Sequence, residues 1–175
     1  MFATRFLTAG LSLIVIACTA LVADAQTGPI TGGSPKGKQT AGAAQGLTAE
    51  RVAAMLNSKV DTQSNGDKAV SAILEKDGWK FEVIVYFFAG KNVFDIISPL
   101  SAPNAQFTQA QVQGMSQKNN EWKAAQKFFS INEQDKRLYL EDINFQTTIS
   151  EQEFVNSVNS FMATIRSTHD LWKSN

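Results

Sequence analysis

The chain has 175 residues, 16 basic and 16 acidic side chains, one histidine and one cysteine. Balanced charge argues against nucleic acid or an acidic membrane surface as a partner. One imidazole and one thiol are too few for a zinc site, and no metal or cofactor is expected.

At the N-terminus, Arg5 precedes an apolar run over residues 6–22 that ends in Ala23-Asp24-Ala25. A basic start, an apolar middle and a small-residue cut site form the pattern of a secretory signal, so residues 1–25 are assigned to a signal peptide cleaved after Ala25. Gly10, Ser12 and Thr19 interrupt the run and make it a poor permanent span, so no stable transmembrane segment is expected after processing. The expected location is periplasmic or secreted. Within the same run, Val15-Ile16-Ala17-Cys18 is similar to the lipobox of bacterial lipoproteins, which leaves acylation at Cys18 and a lipid-anchored envelope role as an alternative. Cleavage after Ala25 would remove the cysteine, and with it any disulfide or thiolate nucleophile. It would also remove one base, Arg5, and one acid, Asp24, so the charge stays balanced.

Residues 26–46, "QTGPITGGSPKGKQTAGAAQG", hold six glycines and two prolines. Such a segment cannot bury enough apolar surface to offset its ordering entropy, and it is expected to be a flexible leader. Residues 47–175 are the size of one domain and carry nearly all the aromatics.

The domain opens with Thr48 as N-cap of a short helix whose apolar face is Val52, Met55 and Leu56, followed by an irregular connection ending at Asn65-Gly66. Asp77-Gly78, between "AVSAILEK" and "WKFEVIVYFF", predicts a two-residue hairpin that needs positive φ. Phe81, Val83, Val85 and Phe87 alternate onto one face and Ile84, Tyr86 and Phe88 onto the other. That pattern predicts a central strand covered on both sides for part of its length. After a turn over residues 89–92, "VFDIIS" is a third strand, ended by Pro99.

A second helix follows, with Thr108 and Gln111 at capping-box spacing and Phe107 and Val112 at staple positions. "KFFSIN" and "RLYLEDINF" are two further strands around a polar turn. Ser150 and Glu153 cap the last helix, whose stripe is Phe154, Val158, Phe161, Met162, Ile165, His169 and Trp172. The expected fold is therefore α+β, with an antiparallel sheet of about five strands, helices packed on it, and the order α-β-β-β-α-β-β-α.

Within "QKNNEWKAAQKFF", Val112, Met115, Asn119 and Trp122 fall at spacings of three, four and three, on one helix face. An amide there needs partners, because burying it unpaired costs about 1–3 kcal/mol. Loop carbonyls or strand ends could serve Asn119. Asn120, one position round, is placed to bond free carbonyls at the helix end or to take up a left-handed turn. Both asparagines are expected to pack, together with Trp122 and Phe128.

Asn120-Glu121-Trp122, the Phe128-Phe129 pair, Leu140-Glu141-Asp142-Ile143-Asn144 and the capped final helix together resemble the YbjN family of bacterial proteins. In that family an Asn-x-Trp-Asn element closes a helix before an aromatic strand. Here Lys123 stands at the second asparagine, Asn119 at a commonly aliphatic position, and the paired cysteines of some members are missing around Ala89 and Val93. The resemblance implies a fold like that of the type III secretion chaperones and a loosely defined role in sensory transduction. It also suggests a homodimer through the second helix.

Among chemistry-bearing residues, His169 lies on a helix stripe without an evident nucleophile, and packing is the expected role. A carboxylate-based enzyme, or one with an unrecognised cofactor, would need Glu141, Asp142 and His169 in one cleft. The favoured expectation is a non-catalytic exported module that binds a protein or peptide, by strand addition or in a groove. Trp79, Phe94, Leu100, Phe107 and Trp172 are the candidates to line such a groove.

Overall fold

The computed structural model describes residues 46–173. The segment expected to be a signal peptide, Cys18 and all of the expected leader except Gly46 lie outside them. Thr48 caps α1 (Ala49–Met55) by accepting the Arg51 N–H at 3.3 Å, and the helix buries Ala49, Val52 and Ala53. Leu47 is tied to the far end of the chain through its N–H to the Thr147 carbonyl, at 2.5 Å.

Six strands follow the sequence as β1 (Val60–Thr62), β2 (Lys68–Lys76), β3 (Trp79–Phe87), β4 (Val93–Pro99), β5 (Lys127–Ile131) and β6 (Leu138–Gln146). They form one sheet in the order β1-β2-β3-β4-β6-β5, antiparallel throughout. The fold class is α+β, with six strands where about five were expected. The added strand is β1, in the segment expected to be irregular. Its three residues include one apolar side chain, too short a run for alternation to register.

Asp77 and Gly78 both take positive φ, 53° and 78°, and bring Lys76 opposite Trp79. The hairpin then runs in register, with Val70 opposite Val85, Ala72 opposite Val83 and Leu74 opposite Phe81. These side chains share one face with Phe94 and Ile96 of β4, and α1 and α3 (Glu151–Ser167) pack on that face.

The opposite face is also buried over part of β3, as the alternation predicts. Ala69, Ile84 and Tyr86 are buried there with half-buried Phe88 and Ile97, yet this cluster contains no residue of a described helix. β3 is central, and among the described residues the helices join the core cluster of one face only. Its second-face residues pack with Phe88, just beyond β3, and Tyr86 bonds to Asp67 of the β1–β2 connection.

In β6 the register slips. Ile96 opposes Asp142 while Phe94 opposes Phe145, so one residue is extra, and Asn144 takes φ 64°. This is a bulge, and the Asn144 N–H donates to Asp95 Oδ1 at 2.8 Å.

Both expected capping boxes form, Thr108 with Gln111 on α2 (Gln109–Glu121) and Ser150 with Glu153 on α3. On α2, Met115 is buried but Val112 is 46 % exposed, so the apolar stripe begins one turn later than the spacing suggested. The last helix is divided. Thr168 donates its hydroxyl to the Thr164 carbonyl at 2.8 Å and ends α3, and His169–Trp172 form a separate turn, α4. Hydroxyl back-bonding of this kind competes with the helical ladder.

Candidate functional site

A shallow cleft of about 510 Å³ opens beside α4, lined by Pro99, Leu100, Ser101, Ala102, Arg137, His169, Trp172 and Lys173. Its walls come from three parts of the chain and are pinned together by backbone bonds. The Leu100 N–H donates to the Leu138 carbonyl at 2.8 Å, and the Leu138 N–H to Ser101 Oγ at 3.0 Å. Arg137 Nε donates to the Ser101 carbonyl at 2.9 Å, which fixes the base of the guanidinium against the loop. This bond uses Nε and leaves the other two nitrogens of a planar donor group, a type of group that suits a carboxylate.

The break at Thr168 builds the third wall. Trp172 Nε1 donates to the Ile165 carbonyl, at 3.3 Å, one of the acceptors left over where α3 stops. His169 sits edge-on between two indoles, 4.9 Å from Trp79 and 4.7 Å from Trp172. From the other side, Gln111 Nε2 of the α2 capping box donates to the Lys173 carbonyl at 3.0 Å. Gly114 allows this close approach, since a Cβ there would stand 2.9 Å from Leu171 Cδ2.

Of the five residues expected in a groove, Leu100 and Trp172 line this cleft and Trp79 reaches it through His169. Phe94 does not. It is fully buried, stacked on Phe145 at 5.2 Å and edge-on to Phe154 at 6.0 Å, because its position in β4 faces the helices. Phe107 is half-buried against the main core and is not among the lining residues. Arg137 and Lys173 were missed by the sequence reading. An arginine after a polar turn carries no signal until the turn is known to face α4.

The asparagine-tryptophan segment packs against β5. Asn119 Nδ2 donates to the Phe129 carbonyl at 2.9 Å, and the Phe129 N–H donates to Asn119 Oδ1 at 2.7 Å. Trp122, the C-cap of α2, lies 5.7 Å from the Phe129 ring. Asn120 is exposed and helical, and the left-handed residue expected there is Gln126, φ 55°. Phe128 points to the helix-free face, opposite Glu141.

Glu141 and Asp142 are neighbours on β6 and therefore project from opposite faces. Asp142 is on the helix side, paired with Lys127 at 3.1 Å. Glu141 is on the open face and accepts the Ser130 hydroxyl. His169 lies between the indoles, so the three groups do not share a cleft.

Burial pushes Asp95, Glu141 and Asp142 above the usual carboxylate range. The charge of Asp142 adds to the effect on Asp95, and that of Asp95 to the effect on Glu141, whereas Lys127 partly offsets it for Asp142. Among the described residues, no group of three or more histidine, cysteine or acidic side chains is arranged to hold a metal ion. No helix among them is long and apolar enough to cross a membrane. Comparison with protein-family models and with curated proteins finds no match to this chain.

Proposed function

We propose that the chain is an exported, non-catalytic binding module of the bacterial envelope, similar to the YbjN proteins, that holds an extended peptide segment in the cleft beside α4. The observation that carries this reading is the pairing, in one cleft, of the Arg137 guanidinium with half-buried Leu100, His169 and Trp172. A guanidinium favours a planar anion, and an indole offers apolar surface to an apolar side chain. The ligand this combination fits is a peptide that carries a carboxylate next to an apolar side chain. Export is supported by the three-part pattern of residues 1–25, and the family by the motifs around Trp122 and residues 140–144.

The test is a titration of the isotope-labelled chain, residues 26–175, with short peptides ending in an apolar residue. One series has a free C-terminal carboxylate, one is amidated, and one carries the acid on a side chain. Supporting results are chemical-shift changes confined to Leu100, Arg137, His169 and Trp172, with binding weakened at least tenfold by Arg137→Gln at unchanged melting temperature. No shifts up to millimolar peptide, shifts centred on Ile84 and Ile97, or catalytic turnover that is lost on Glu141→Gln would overturn the reading. Intact mass of the exported chain separates a start at Gln26 from an acylated Cys18.

A further inference from the structure

No further strand pairs with the outer edge of β5; α2 packs along it and supplies its polar partner. Two main-chain bonds bracket the β5–β6 ladder, from the Ile143 N–H to the Gln126 carbonyl at 3.1 Å and from the Asn132 N–H to the Arg137 carbonyl at 3.0 Å. With Phe129 opposite Leu140, they fix the alternation. Residues 126, 128, 130 and 132 bond to β6, and the N–H and C=O groups of Lys127, Phe129 and Ile131 point away from the sheet. At the middle of these three, the Asn119 side chain takes both groups of Phe129. A carboxamide offers the same donor and acceptor as a peptide group, so Asn119 supplies at one residue what a seventh strand would supply along the whole edge. Buried Met115 and the Trp122 ring against Phe129 hold it there.

We infer that Asn119 is an edge guard, which occupies the outward hydrogen-bonding groups of Phe129 and keeps β5 from pairing with the β5 of a second copy of this chain. The occupant follows from the edge itself. Antiparallel pairing about a two-fold axis at Phe129 sets Lys127 of each copy opposite Ile131 of the other, which is self-complementary, as an isologous contact requires. Ile131, 44 % exposed, would lose apolar surface to water in that pairing. The other sheet edge, β1, has three residues, with Asp61 and Thr62 exposed, and its shortness protects it. The inference is independent of the cleft beside α4.

The experiment compares the chain, residues 26–175, with Asn119→Leu, which keeps the bulk and favours the helix but cannot hydrogen-bond. Sedimentation velocity is run over a hundredfold concentration range, with amide hydrogen exchange on the same samples. The parent chain is expected not to associate through β5, with the Phe129 amide exchanging at least tenfold more slowly than that of Ile131. Asn119→Leu is expected to dimerise at concentrations at least tenfold lower than the parent, with the Lys127 and Ile131 amides gaining protection. Adding Ile131→Lys should return it to monomer. A parent chain already paired through β5, a Phe129 amide exchanging as fast as that of Ile131, or a folded Asn119→Leu that stays monomeric or associates without protecting β5 would overturn the inference. If Asn119→Leu does not fold, Asn119→Ala takes its place, and the exchange rates of the parent decide by themselves whether the guard forms.

Discussion

Lys127 and Asp142 face each other across β5 and β6 on the helix side of the sheet, with Nζ 3.1 Å from Oδ2 and side-chain exposures of 13 % and 11 %. Thr164 of α3 adds a second acceptor for the ammonium, at 3.3 Å. Removing one partner leaves a nearly buried charge alone, whereas replacing both with apolar groups removes the desolvation cost as well. Asp142→Ala is expected to lower unfolding free energy by about 3 kcal/mol. Lys127→Met with Asp142→Leu should cost less than Asp142→Ala does alone. Urea denaturation of the three variants measures both values.

Asp95 and Glu141 set a pH dependence of stability. Burial is the main reason both carboxyls are held above their ordinary values of 3.8 and 4.5. An acid whose folded value is raised contributes stability that is fully present below the unfolded value and lost as pH rises through the folded one. Asn and Gln keep the oxygens that accept the Asn144 N–H and the Ser130 hydroxyl. Asp95→Asn and Glu141→Gln should therefore each melt higher than the parent chain at pH 7. The difference should shrink toward zero at about pH 4 and below, as thermal melts across that range would show.

Asp67 joins the β1–β2 connection to the end of β3. It accepts the Tyr86 hydroxyl, the Ala89 N–H and an Asn65 side-chain N–H, each at 2.7 Å. Tyr86 is buried, and burial first and the Asp67 hydrogen bond second push its phenol up to about 12. Asp67→Ala is expected to cost about 2 kcal/mol, because it leaves the Tyr86 hydroxyl without this acceptor. Adding Tyr86→Phe should cost less in that background than in the parent chain. Equilibrium unfolding of the four proteins gives the coupling directly.

Phe94 and Trp172 separate core from cleft. Phe94→Leu is expected to lower stability by about 1–2 kcal/mol and leave peptide binding unchanged, since the ring contacts Phe87, Phe145 and Phe154. Trp172→Ala should weaken binding at least tenfold, by removing the wall on which the apolar side chain rests. Calorimetric titration and thermal melts on both variants distinguish the two effects.

What the sequence determined by itself is local. Asp77-Gly78 specifies its turn because both residues tolerate positive φ, and Thr108 with Gln111 and Ser150 with Glu153 mark helix starts because partners three residues apart meet whatever the rest of the chain does. Alternation in β3 separated its two faces, and the α+β class followed from the order of these elements. Other features rest on partners distant in sequence, and only the tertiary structure decided them. β1 is a strand because β2 lies beside it, and Phe94 is core because its register directs it at α3. The final stripe divides at Thr168, so that His169 meets both Trp172 and Trp79, the latter a residue distant in sequence at the start of β3. Asn119 shows the difference most directly. Helical spacing put its amide on the packed face, but whether that amide meets a loop, a ligand or a strand edge depends on where Phe129 comes to rest, which no pattern within α2 encodes.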